Sequence, residues 1–366
     1  MEDVYFVTGY PGFIASELVR QLLQDHQQRI KHMYLLVLPH LKEKAQRQMN
    51  GLLQQGASND LRFTIITGDI THPNLSMDKT VCDTLQNRVT HVFHLAAIYD
   101  LAVSEQIAYQ VNVIGTNHMN NWVKQLTKLK RYIYFSTAYV SGKREGRIYE
   151  HELRTNQTFK NHYEKTKYEA EISVDNFKSD IPITIIRPGI VIGHSGTGET
   201  SKFDGLYFLL NYLDRLRFMP NLPYFGDGVA EGNFVPIDYV LEATSYLSIH
   251  PIGTGKTYHL TDPAPYRMRD IQTLLSEAYI GKQPKGRIPV SIVRFALTAP
   301  FIRKWLRVER EALDYFLTQS SYSTAQASND LKGTNITCPG FNHTAQAIIH
   351  YYRKYKDDYT KQIRIT

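Results

Sequence analysis

Residues 161–171 read "NHYEKTKYEAE" and place Tyr163 and Lys167 four positions apart. On a helix such positions share a face, so the phenol and the ammonium can point into the same space. A nearby ammonium favours phenolate over phenol and lowers a tyrosine pKa from its usual ~10 towards neutrality. The pair would then be a proton donor or acceptor usable at neutral pH. A Tyr-x-x-x-Lys spacing also suits an ordinary solvated helix face, so the motif means little alone. Its weight depends on the elements that position it.

Those elements are legible in the hydrophobic pattern. "VYFVTG" (4–9), "MYLLVL" (33–38), "RFTIITGD" (62–69), "THVFHLAA" (90–97), "RYIYFSTAYV" (131–140) and "PITIIRPGIV" (182–191) are continuous apolar runs. Buried parallel strands read this way. Helical patterns alternate with them over 12–25, around 105–129 and from Tyr163 to Lys178. The alternation predicts an α/β fold, a doubly wound parallel sheet of Rossmann type. Beyond Ile192 the rhythm breaks. "GHSGTGETSKFDG" (193–205) reads as a mobile Gly/Ser/Thr-rich connection. We expect residues 1–192 to form the dinucleotide domain, with 225–262 packing back onto it. Residues 193–366 are expected to be mainly a smaller substrate lobe over the sheet's carboxyl edge.

Composition narrows the class. The 366 residues, 42% hydrophobic and 21% charged, suit an ordinary globular protein with a large core. The net charge of +7 is moderate and favours an acidic partner or a phosphorylated cofactor. No long basic run argues for nucleic-acid binding. Cys82 and Cys338 are too few and too far apart for a disulfide framework, and no His spacing suits a metal. The start "MEDVYFVTGYPG" carries no signal-peptide pattern, and no apolar run approaches the roughly 20 residues that span a bilayer. The simplest expectation is a cytoplasmic protein without an integral membrane segment.

"VTGYPGFIAS" joins the first strand to the first helix in a G-x-x-G-x-x-A pattern of Gly9, Gly12 and Ala15. Glycine at this turn lets backbone approach a pyrophosphate, and the helix N-terminus supplies N–H donors and a favourable dipole. Thr8, Gly9, Tyr10, Pro11, Gly12, Phe13 and Ile14 are therefore the expected phosphate cradle. NAD sites usually place a carboxylate at the end of the second strand. Here no acid follows until Glu43, whereas Lys42, Lys44 and Arg47 lie close by. A 2′-phosphate meets attraction there, so NADP(H) is preferred over NAD(H). Asp69 and Ile70 after the third strand suit the adenine side. Leu95, Ala96 and Ala97 are small or apolar residues where the fourth strand passes the cofactor, and His94 beside them reads as packed rather than reactive.

Taken in order, Gly9-x-x-Gly12-x-x-Ala15, "HLAA", "STAYVSG" and Tyr163-x-x-x-Lys167 resemble the extended short-chain dehydrogenase/reductase superfamily. The resemblance covers nearly the whole chain. It implies Tyr163 as general acid/base, with Lys167 holding the nicotinamide ribose and lowering the Tyr163 pKa. It further implies Thr137, or else Ser136, as hydrogen-bond partner of the reacting oxygen, and Asn112 as a residue shaping the catalytic site. "YLLVLPHLKEKAQ", "GDITHPNLSM", "IIRPGIVIGHSGTGET" and "VPIDYV" look like its thioester-reductase and fatty-acyl-CoA-reductase branch, the male-sterility type. In that setting Pro188, Gly189 and Val191 join the cofactor-binding set. The branch commonly has Arg where Leu38 stands, and an acid and a base where His194 and Ser195 stand.

The implied reaction is NADPH-dependent reduction of an acyl thioester, on coenzyme A or a carrier protein, to an aldehyde. A nucleotide-sugar epimerase or dehydratase and a ketone reductase share the dyad and the fold. A regulator that holds NADP(H) without turnover is the rival of a different class; such proteins commonly lose the Tyr or Lys. Finally, "IPVSIVRFALTAPFIRKWL" (288–306) is apolar with interspersed cations. It reads as a lid helix broken at Pro300 or as core packing, in preference to an amphipathic membrane anchor.

Overall fold

The computed structural model describes residues 2–54, 61–100 and 102–363. Strand β1 (Asp3–Thr8) leads through α1 (Phe13–His26) to β2 (Ile30–Val37), and α2 (Lys42–Gln54) leads to β3 (Arg62–Thr67). Helix α3 (Lys79–Gln86) then carries the chain to β4 (His91–His94). Next come α4 (Glu105–Ala108), a π-helical turn (Tyr109–Ile114) and α5 (Gly115–Val123), followed by β5 (Arg131–Phe135). The short β6 (Gly146–Ile148), helix α6 (His162–Asp175), β7 (Ile183–Pro188) and β8 (Ile190–Ile192) complete the first half.

The second half opens with α7 (Tyr207–Leu216), β9 (Tyr224–Phe225), β10 (Phe234–Pro236), α8 (Ile237–Ile249) and β11 (Thr257–Leu260). It continues through α9 (Met268–Ile280), β12 (Arg287–Ile288), α10 (Val290–Ala296), α11 (Pro300–Leu306) and α12 (Ala312–Leu317). Strand β13 (Ser320–Tyr322), α13 (Ala325–Asp330) and α14 (Phe341–Tyr355) end the chain's regular structure.

Seven strands form one sheet in the order β11-β7-β5-β4-β1-β2-β3, every pairing parallel. Alternate residues of β1 enter opposite cores, as strand period 2 demands. Tyr5 and Val7 pack with Leu18, Leu22, Val240 and Leu247 of α1 and α8. Val4 and Phe6 pack with Met119, Trp122, Ala170 and Val174 of α5 and α6. With both faces covered, the strands must be apolar throughout, which is why they read as continuous runs. The strand order reverses between β1 and β4, and ligands of such sheets bind in the crevice at that point. A third core joins α7, α9 and α14 around Phe203, Leu210, Ile271 and Ile348.

The 193–205 segment is not a free connection. Ser195 donates its backbone N–H to Asp238 Oδ1 at 2.8 Å, and its hydroxyl donates to Asp238 Oδ2. Lys361 Nζ donates to the Thr200 carbonyl at 2.8 Å, and Phe203 is fully buried. These partners are distant in sequence, so the Gly/Ser/Thr composition gave no sign of them. Nor is 288–306 plain core packing: Pro300 splits it into α10 and α11, and only Leu297 of their span is fully enclosed.

Candidate active site

Gly9 sits at φ +88°, a backbone region that favours glycine. A Cβ there would lie 2.9 Å from the Ala96 nitrogen, so β1 and the exit of β4 can meet only around glycine. Gly12 donates to the Gly9 carbonyl at 2.8 Å and stands as N-cap of α1 with no side chain to satisfy the first N–H groups. The donors of Phe13 and Ile14 therefore open onto this turn, as an anionic group requires. Thr8 fixes the neighbouring strand end: its hydroxyl accepts from the Ala96 N–H at 3.1 Å and lies 2.8 Å from His94 Nδ1. Burial pushes His94 down to about 3, and it also contacts Thr116, so it is packed rather than reactive. Tyr10 and Pro11 are buried, Tyr10 within the core beneath the loop, so they offer only backbone to a ligand.

The remaining expected cofactor residues stand at or just beyond the carboxyl ends of β3, β4 and β7. Asp69, two residues beyond β3, has Oδ1 accepting from the Thr71 N–H and hydroxyl, both at 2.8 Å. Ile70 is buried against Gly115 of α5. Leu95, Ala96 and Ala97 follow β4 half-buried. Pro188 ends β7, Gly189 donates to the Leu260 carbonyl at 3.1 Å, and Val191 pairs with Val235.

Helix α6 carries the dyad. Its N-cap Asn161 accepts from the Glu164 N–H at 2.9 Å, and Glu164 Oε2 accepts from the Lys160 N–H at 3.0 Å, which fixes the first turn. The Thr137 hydroxyl, which accepts from the Tyr139 N–H at 3.3 Å, lies near enough to the Tyr163 phenol to favour its ionisation. Ser136 is used elsewhere: its hydroxyl donates to Glu171 Oε2. Thr137 is thus the hydroxyl that faces the tyrosine.

Lys167 does not act on Tyr163 in the expected way. Its Nζ donates to the Tyr134 hydroxyl at 3.0 Å and to the Phe135 carbonyl at 2.6 Å, and it sits over the Tyr134 ring. Burial dominates both groups. It pushes Tyr163 up to about 12, with Thr137 working in the opposite sense, and pushes Lys167 down to about 7 against the pull of Glu171. The ammonium was expected to draw the phenol towards ionisation; instead burial sets the direction of both shifts. A testable consequence concerns stability. Between about pH 7 and 10.5 the folded chain holds Lys167 neutral while the unfolded chain holds it charged, so unfolding takes up a proton. Stability then rises with pH across that window. Denaturant midpoints of the dinucleotide-free protein across it should rise, and Lys167→Met should flatten that rise; an equal slope in the variant would contradict the assignment.

Asn112 is a positioning residue. It lies buried in the π-helical turn and accepts from the Ile98 N–H at 2.9 Å through Oδ1. Its Nδ2 donates to the Ile98 carbonyl at 3.1 Å and to Thr166 Oγ1 at 3.0 Å. These bonds tie the loop after β4 to α6 and use both N–H donors of the amide. The resemblance implied a residue that shapes the site, and nothing in "VNVIGTNHM" reveals the Ile98 clamp.

Two further residues support the site. Glu171, one turn beyond Lys167, accepts from Arg187 Nε at 2.9 Å and Nη2 at 2.5 Å, both side chains being buried. Arg187 Nη1 also donates to the Glu150 and Glu152 carbonyls. The four-residue step 163, 167, 171 was the available signal. At the mouth, Tyr99 carries the Lys202 ammonium over its ring at 5.4 Å. Nearby, burial pushes Asp204 up to about 6 and Glu309 up to about 7.

With this geometry in view, residues 7–244 match the model of an NAD-binding family described as male sterility protein. The chain belongs to that family. It therefore takes a nicotinamide dinucleotide, and the Gly9–Gly12 turn with the uncapped α1 fits the diphosphate of such a ligand. The chain is 27% identical over 296 residues to the non-canonical nonribosomal peptide synthetase cpsA of Aspergillus campestris, covering 76% of this chain and 28% of that protein. It is 25% identical over 272 residues to the fatty acyl-CoA reductase wat of Drosophila melanogaster, covering 65% and 52%. The chain thus spans about half or less of these relatives' length. In fold it is similar to the terminal R domain of the myxalamid PKS-NRPS pathway, with a TM-score of 0.78 at 22% identity, covering 97% of this chain and 91% of that one.

Proposed function

We propose that this protein is an NADPH-dependent reductase of acyl thioesters, acting in the cytoplasm on an acyl group carried by coenzyme A or a carrier protein. The observation that carries the reading is the Tyr163 phenol near Thr137, just beyond β5, in a chain of the male-sterility family that also carries the Gly9–Gly12 turn. Names of relatives that include a fatty acyl-CoA reductase and a peptide synthetase support the thioester class.

The bound dinucleotide supplies the hydride to the thioester carbonyl carbon. Tyr163 and Thr137 hydrogen-bond the oxygen on which negative charge develops. Burial keeps Tyr163 protonated at physiological pH, so the phenol can pass its proton to that oxygen and regain it from solvent. The resulting hemithioacetal loses its thiol as the C–S bond breaks, and an aldehyde remains. Lys167, with Tyr134 and the Phe135 carbonyl holding its Nζ, faces the ribose side; Gly9–Ile14 hold the diphosphate. Asp69 and Ile70, Leu95–Ala97, and Pro188, Gly189 and Val191 line the rest of the dinucleotide. We assign residues 1–192 with 225–262 to the cofactor, and the remainder from 193 mainly to the substrate.

Selection of NADPH rests on the end of β2. Leu38, Pro39 and His40 provide no carboxylate, Lys42 and Lys44 are exposed, and the exposed Glu43 is paired with Arg47 at 3.9 Å. Such cations attract a 2′-phosphate. The test is consumption of NADPH and, separately, NADH by purified protein against acyl groups of graded chain length, carried on coenzyme A and on a carrier protein. NADPH turnover at least ~10-fold faster, the equivalent of one charged contact of about 1.4 kcal/mol, is expected. Preference for NADH, or turnover of no thioester on either carrier, would overturn the corresponding half of the reading.

A further inference from the structure

Helices α10 and α11 turn aromatic side chains outward. Ile292 is 57% exposed, Phe295 78%, Phe301 74% and Trp305 47%. Beneath them Val293, Leu297, Ile302 and Leu306 pack on Phe208 and Leu313, so the pair is held by one face and bare on the other. Soluble surfaces seldom gather large apolar side chains in this way without an interaction to serve. The local charge is one-sided. Residues 284–308 contain Lys285, Arg287, Arg294, Arg303, Lys304 and Arg307, and no carboxylate.

We propose that α10 and α11 dock this protein peripherally onto the anionic surface of a lipid bilayer, with Phe295, Phe301 and Trp305 entering the headgroup boundary. Aromatic and aliphatic side chains ringed by cations are what such an interface accepts, and each cation near an anionic leaflet adds to the attraction. The cations favour a lipid surface over a protein partner. Arg294 is tied to Asp314 at 2.8 Å, Arg303 donates to the Leu297 and Thr298 carbonyls, and Arg307 donates to the Lys356 carbonyl. Their guanidinium groups are engaged within the chain. Asp314 offsets the Arg294 charge, whereas Arg303 and Arg307, bound to carbonyls, keep theirs and act as a diffuse positive field. Lys304 on α11 is exposed, as are Lys285 and Arg287 in the segment that leads into α10. Among the described residues no helix is long and apolar enough to cross a membrane.

The experiment is co-sedimentation of the full chain with vesicles of phosphatidylcholine alone and of an equimolar mixture with phosphatidylserine, at low and high salt. Binding to the mixed vesicles, weakened by salt and by omission of phosphatidylserine, is expected. The double variant Phe295→Ser, Phe301→Ser should bind on the order of 100-fold more weakly, two partly buried phenyl groups having been removed. Both side chains are mostly exposed, so its thermal midpoint should match the parent's. Lys285→Glu with Lys304→Glu gives a second, charge-based variant that should also weaken binding. A parent chain that ignores the mixed vesicles at low salt, or a double variant that binds as well as the parent, overturns the proposal. So does a parent that ignores vesicles yet binds an acidic carrier protein through these same side chains.

Discussion

Tyr163→Phe is expected to lower turnover of an acyl thioester by ~10²–10⁴-fold, the usual contribution of a positioned proton donor. The dinucleotide should bind the variant almost as well as the parent, because Phe fills the same half-buried volume on α6 and leaves Lys167 with both of its partners. Thr137 remains to hydrogen-bond the reacting oxygen, so a residual rate should persist. Steady-state kinetics with a separate measurement of dinucleotide binding checks both halves. Undiminished turnover in the variant would remove Tyr163 from the chemistry. Loss of dinucleotide binding would instead mean that the phenol holds the fold of the crevice.

The second large effect concerns Arg187 and Glu171. Replacing Arg187 by Met removes every partner that the guanidinium offers and leaves Glu171 buried with only the Ser136 hydroxyl. Breaking a buried pair from one side costs about 3–5 kcal/mol, since an uncompensated charge stays in a dry interior. The carbonyls of Glu150 and Glu152 lose their donor as well. Denaturant unfolding should register that loss as a lower midpoint. The double variant Glu171→Leu, Arg187→Met should recover much of it, because no charge is then stranded. Ser136 adjoins Thr137, so activity of the single variant should fall along with stability. A single variant as stable as the parent would show that the pair contributes nothing to holding α6 against β7.

The parts of this site that sequence alone made legible are those built from short-range spacing. The glycine turn needs four consecutive positions between a strand and a helix, and the dyad needs one helical turn. Parallel strands covered on both faces advertise themselves as apolar runs. What stayed hidden depends on partners far along the chain. Arg187 and Glu171 pair across β7 and α6, Asn112 clamps Ile98 across a π-helical turn, and Asp238 and Lys361 anchor the 193–205 segment. Burial is equally non-local. The dyad's charges looked mutually supportive in one dimension, and only the packed surroundings of Tyr134 and Phe135 reveal that desolvation governs both groups. The exposed face of α10 and α11 was unreadable for a related reason. An amphipathic period has the same form whether its apolar side meets a core, a substrate or a lipid.

The central claim is that a thioester carbonyl accepts the hydride. The measurement that tests it most directly follows free thiol and NADPH in the same reaction of the purified chain with an acyl-CoA. Thiol should appear in step with NADPH consumed if reduction stops at the aldehyde, or at half that rate if it proceeds to the alcohol. Either release should slow by the same ~10²–10⁴-fold with Tyr163→Phe. NADPH consumption without any thiol release would contradict the account, since it would place the hydride on a different carbonyl.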